Sequence, residues 1–160
     1  MLNKLNNSKQ KGFTIIEVMI VLAIAGLIIL IVLLAIPALQ RNGRNTAIKS
    51  DAGALTGAIS SFVSNANGCV PNDISTSGLI SIAGASPCSA VTEQTKLSGG
   101  TTVNAQLAAT PTVVIAHGTL SYWIGHNCAG TASTRSVAVW YSIETSSVES
   151  VASNNRCVDA

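Results

Sequence analysis

The stretch Lys11-Gly12-Phe13-Thr14-Ile15-Ile16-Glu17-Val18-Met19-Ile20-Val21 decides how this chain reads, because one carboxylate interrupts the start of a long apolar run. Downstream, Val18 to Ile36 is apolar apart from Gly26. As a helix, the span from Phe13 to Leu39 would rise about 40 Å, more than the roughly 30 Å hydrocarbon core of a bilayer. That is too long for the apolar core of an ordinary secretory signal peptide. A plain signal anchor fits the length but leaves Glu17 unexplained. An acidic residue at the centre of a membrane helix costs about 2.5–3.5 kcal/mol on insertion scales. The cost falls near the interface, and falls further beside a cation. Cutting the chain before Phe13 creates such a cation, an α-amino group one helical turn upstream of Glu17. The first-turn position also sets the carboxylate at the positive end of the helix dipole.

The order of residues in this window, basic positions, Gly12, Phe13, Thr14, two aliphatics, Glu17 and a long apolar helix, resembles the processing site of type IV prepilins. The resemblance covers residues 1 to about 65. It implies that a prepilin peptidase/methyltransferase cuts after Gly12 and methylates the new amino-terminal Phe13. It implies that Glu17 meets the Phe13 amine of a neighbouring subunit during assembly. The partners so implied are other pilin subunits, that peptidase, an inner-membrane assembly platform and the bilayer itself. The implied location is a single-pass membrane protein, leader in the cytoplasm and head outside, that becomes a cell-surface filament serving adhesion, motility or DNA uptake. A pseudopilin of a type II secretion or competence machine would share every amino-terminal feature. A membrane-anchored adhesin that never polymerises is the reading from another class, and it leaves the cost of Glu17 unaddressed. Gly26 matches the helix glycine of the family. The family's helix proline falls at the position of Leu34, whereas here it is Pro37, so a kink is expected nearer the head.

At 160 residues the chain has room for a membrane segment and one modest domain. Four parts are expected: a leader over 1–12, a membrane or filament-core helix over 13–39, an amphipathic half of the helix over 40–67, and a disulfide-stapled, β-rich head over 68–160. The fold class expected is α+β, a long amino-terminal helix packed on a carboxyl-terminal antiparallel sheet. Apolar positions Ile48, Ala52, Leu55, Ile59, Phe62 and Ala66 recur at spacings of three and four, which predicts one buried stripe. Gly68 reads as the helix stop. Residues 69–109 read as a long connection with short elements. Strands are predicted at Thr112–Ala116, Thr119–Ile124 and Ser136–Ile143, with a tight turn at His117-Gly118.

Lys4, Lys9 and Lys11 are three of nine basic residues, so the chain beyond Gly12 carries six against seven acidic ones, about −1. That charge gives no footprint for a nucleic-acid partner. Charge does not decide orientation either, since Arg41, Arg44 and Lys49 flank the other end of the span. All four cysteines follow the apolar run, where an exported domain forms disulfides, and four cysteines allow three connectivities. A Cys69–Cys88 bridge would tie the helix end to the loop that follows. A Cys128–Cys157 bridge would pin the tail, and would resemble the disulfide-bounded carboxyl-terminal region of many pilins. His126-Asn127-Cys128 with His117 lacks the compact second ligand pair of a metal site. There is no Gly-x-Ser-x-Gly elbow and no glycine-rich phosphate loop. No enzyme and no cofactor are expected.

Overall fold

A computed structural model of the chain describes residues 12–82, 88, 91–112, 114–145 and 154–160. The chain divides into two compact units, Met1–Ala38 and Leu39–Ala160. In the first, helix α1 (Ile15–Asn65) begins, and its large side chains are exposed throughout, from Phe13 at 85% to Ile36 at 40%. The helix runs through Pro37.

In the second unit the same helix is amphipathic. Ile48, Ala52, Leu55, Ile59 and Phe62 are buried, with Ala66 just beyond the last turn, so the expected stripe is the core face. Complete burial of a side chain the size of Leu55, Ile59 or Phe62 contributes about 1.5–3 kcal/mol. This packing offsets the poor helix propensity of Gly53 and Gly57 on the exposed face. Two polar residues share the buried side, Asp51 and Thr56. Asp51 Oδ1 accepts from the Ser98 amide at 3.1 Å and from Ser98 Oγ at 2.9 Å, which ties a loop of the head to the helix. The helix ends with Asn67 in the left-handed region (φ 56°), and the Gly68 N–H reaches back to the Val63 carbonyl at 2.7 Å. That is the six-to-one bond of a Schellman cap. Gly68 is therefore the second residue of the stop, with Asn67 the first. A Cβ on Gly68 would stand 2.7 Å from Arg135 Nη2, so glycine lets the guanidinium lie over the helix end.

Two sheets follow, which makes the fold α+β with the helix packed on sheet. Strands β1 (Asp73–Ile74), β2 (Leu79–Ser81) and β3 (Thr92–Gln94) form a small antiparallel sheet in that order. Strands β4 (Thr102–Gln106), β5 (Thr119–His126), β6 (Ala132–Ser142) and β7 (Asn155–Asp159) form the larger one, also in that order. It is mixed, because β4 runs parallel to β5 while β5–β6 and β6–β7 are antiparallel. On one face Leu120, Tyr122, Val137, Val139 and Tyr141 join the helix side chains in a single core. The alternation along β6 is imperfect because Ala138 and Ser142, on the opposite face, are buried too.

The expected strand Thr112–Ala116 does not form among the described residues, and Val113 lies outside them. The Ile115 N–H donates to the Asn155 side chain at 3.2 Å instead of to a ladder. Ile115 is nevertheless buried, so the β-branched run reports burial rather than strand pairing. The place beside β5 goes to β4, from the region expected to be mostly connection. The turn at His117-Gly118 is present, with Gly118 at φ 78°. It delivers the chain into β5, and the Gly118 carbonyl accepts from Thr102 N at 3.0 Å, opening the parallel pair.

Long-range polar contacts join these parts. The Tyr122 hydroxyl donates to Asp73 Oδ1 at 3.0 Å and accepts from the Ile74 amide at 3.2 Å, linking the two sheets. Arg44 Nε donates to Glu144 Oε1 at 2.6 Å, and Asn45 exchanges bonds of 2.7 and 2.8 Å with the Glu144 backbone. The Arg44 bond holds the Glu144 carboxyl below its usual range against the opposing effect of burial, and the charges of Arg44, His117 and Arg41 help. Disulfides join Cys69 to Cys88 and Cys128 to Cys157, with Cα atoms 5.9 and 5.7 Å apart. In the chain-entropy picture, loops of this size make each bridge worth about 3–4 kcal/mol.

Burial pushes the Tyr122 phenol above its ordinary 10.0; the bond from Ile74 opposes this and Asp73 adds to it. A folded state that holds this proton more tightly has its full advantage below pH about 10, and loses it as pH rises through the higher folded value. Tyr122→Phe is expected to cost about 1–3 kcal/mol at neutral pH, since Asp73 and the Ile74 amide lose their partner. Above pH about 10 the gap between wild type and variant should narrow. Urea unfolding followed by tryptophan fluorescence at several pH values checks both; a pH-independent gap would contradict the assignment.

Candidate functional site

Gly12, Phe13 and Thr14 lie outside regular secondary structure and precede the first turn of α1. The Thr14 carbonyl accepts from the amides of Glu17 at 3.1 Å and Val18 at 3.3 Å, which makes Thr14 the cap residue. Its Oγ1 accepts from the Glu17 amide at 3.3 Å. Glu17 Oε2 returns to the Thr14 amide at 3.4 Å and to the Thr14 hydroxyl at 3.2 Å. These reciprocal bonds form a capping box, a hydroxyl residue answered by a glutamate three positions later.

Glu17 thus has local partners in the uncut chain, and the hydrogen bonds soften the penalty for a carboxylate beside an apolar helix. Both of these bonds fall on Oε2. Thr14 is the residue that sequence reasoning passed over, although Thr14-Ile15-Ile16-Glu17 carries the box signature openly. Gly12 and Phe13 are exposed, and nothing lies within 4 Å of where a Cβ on Gly12 would sit.

From Ile15 to Gln40 every helix residue is exposed except Ala25, which is half-buried. A soluble helix shows apolar residues on one face; one apolar all round belongs in a core or a bilayer. This stretch is long and apolar enough to cross a membrane, and fits a single-pass anchor.

Among the described residues, the cysteines and His126 of the head are engaged. Cys128, Cys157 and Asp159 lie close together, but both sulfurs are in the disulfide and Asp159 Oδ1 accepts from the Cys128 amide at 2.6 Å. A disulfide sulfur is not the thiolate that binds zinc. The His126 ring stacks on Trp123, centroids 3.9 Å apart. His117 lines a cavity of about 270 Å³ with Arg44, Ile48, Ser142 and Glu144. The phenol of Tyr122 and the ring of Tyr141 are buried in the core, and Trp123 and Trp140 are half-buried.

Comparison with curated proteins and with solved structures finds no match to this chain. A family described as the prokaryotic N-terminal methylation motif matches residues 7–33, spanning Gly12, Phe13, the capping box and most of the apolar run. The amino-terminal segment is therefore a prokaryotic N-terminal methylation motif, the class III signal of type IV pilins, set at the start of a long apolar helix.

Proposed function

We propose that the chain is a structural subunit of a type IV pilus or pilus-like filament, cut by a prepilin peptidase between Gly12 and Phe13 and assembled through α1. The observation that carries this reading is the methylation motif at 7–33 on a helix whose large apolar side chains from Ile15 to Leu39 are exposed among the described residues. Before assembly the leader, residues 1–12, lies in the cytoplasm, residues 13–39 cross the membrane and the head is outside. Cleavage removes Lys4, Lys9 and Lys11 and produces the Phe13 amine, which is then methylated. Helices leaving the bilayer exchange lipid for one another and form the filament core, while the heads form its surface.

Glu17 supplies the register. A carboxylate in an apolar core is stable only beside a cation, and the amine of a neighbouring Phe13 arrives there only when the new subunit is seated correctly. The other participants are the processing peptidase/methyltransferase and an inner-membrane assembly platform. A pseudopilin forming a short filament inside a secretion machine has the same chemistry at this end. Electron microscopy of surface filaments, with the protein identified in them, separates the two.

Gly12→Leu is expected to block maturation and leave uncut precursor in the membrane. Recovery of the variant with a normal Phe13 amino terminus would sink the processing role. Glu17→Gln keeps a residue able to close the capping box but removes the charge. It is expected to be cut and yet to give at least ten-fold fewer filaments, about the effect of losing one buried charge pair. Filament yield at the wild-type level, measured by shearing and immunoblotting, would refute the assembly role.

A further inference from the structure

The helix starts where Thr14 puts it. The Thr14 carbonyl is its first acceptor, and the box with Glu17 satisfies amides at both Thr14 and Glu17. Gly12 and Phe13 stay outside the ladder, Phe13 85% exposed and Gly12 with open space where a side chain would be. An alternative start is close at hand. Glycine is a tolerated cap, and a helix capped at Gly12 would commit the Gly12 carbonyl to the amide of Ile16. In an apolar medium the two added helical residues are favoured, because they satisfy further backbone groups. Such a shift would place the Gly12–Phe13 bond at the helix edge, where one face of the peptide plane is shielded.

Hydrolysis of that bond has a geometric demand. Water adds to the Gly12 carbonyl carbon, the bond to the Phe13 nitrogen breaks, and that nitrogen takes up both protons of the water, leaving a Gly12 carboxylate and a Phe13 ammonium. The nucleophile needs a clear approach to the carbonyl carbon, and the carbonyl oxygen must be free for the peptidase to polarise. We propose that Thr14 is a positioning residue for leader removal: its capping box with Glu17 holds the helix start at Ile15 and keeps the Gly12–Phe13 bond in open backbone. The proposal rests on the processing reading above. Thr14 itself touches none of the reacting atoms; it sets the fraction of chains in which the bond can be reached.

The test compares full-length precursors in detergent micelles as substrates of the prepilin peptidase, with kcat and KM measured for wild type, Thr14→Val and Thr14→Ser. Valine has nearly the shape of threonine and caps poorly, whereas serine caps as well as threonine. Losing a cap lowers the ratio of chains that begin at Ile15 to those that begin at Gly12 by roughly five-fold. A smaller competent fraction raises apparent KM in proportion and leaves kcat unchanged. Thr14→Val is therefore expected to raise KM by up to about five-fold, with Thr14→Ser restoring it. An unchanged KM in Thr14→Val, a fall confined to kcat, or a Thr14→Ser variant no better than Thr14→Val would overturn the proposal. Gly12→Leu run alongside separates the two failures. If it is cut normally, the processing reading falls and this inference with it; if it is blocked while Thr14→Val behaves as wild type, only this inference falls.

Discussion

A helix with large apolar side chains on every face cannot stay in water, and among the described residues the large side chains from Ile15 to Leu39 are exposed. Each Leu or Ile left in water forgoes about 1.5–3 kcal/mol, so over such a length the choice of surroundings is not marginal. Lipid meets the requirement, and so does a bundle of identical helices. A sequence that accepts both can pass from one to the other at little net cost. The polar features at its beginning then matter more, because they are what distinguishes one apolar environment from another.

Glu17 and Thr14 are those features. In the uncut chain the carboxylate is held by Thr14, its immediate neighbour in the first turn. Local hydrogen bonds make the anion tolerable at the helix start, where the dipole also favours it. They do not neutralise it. A cation still improves its surroundings, and the proposed leader removal would produce one at Phe13. On the proposed reading, the motif would join a cut and a charge at positions four residues apart, just before and within the first turn of α1.

Much of the architecture was legible because periodicity reports burial. Ile48, Ala52, Leu55, Ile59, Phe62 and Ala66 marked the core face, and the β-branched and aromatic runs marked β5 and β6. What escaped has a physical reason in each case. Strands β1 to β3 have only two or three residues, too few to show alternation. Strand β7, Asn155–Asp159, has one β-branched residue and owes its conformation to pairing with β6 and to the Cys157 bridge. Parallel pairing of β4 with β5 is set by the crossover between them, not by local pattern. Tyr122 reaches Asp73, 49 positions away, and Arg44 reaches Glu144, 100 positions away; spacing alone announces neither. Asp51 was readable as a charge on an apolar stripe, and its partner Ser98 was not. At the amino terminus the signal was dense. The capping box of Thr14 with Glu17 stood in the same residues, as a hydroxyl three positions before a glutamate.

The central claim is a cut between Gly12 and Phe13, and intact-mass analysis of the native protein tests it most directly. The account predicts the mass of residues 13–160 with one methyl group on the amino terminus and two hydrogens lost for each of the Cys69–Cys88 and Cys128–Cys157 bridges. A native protein that retains residues 1–12, or begins at any residue other than Phe13, would contradict it.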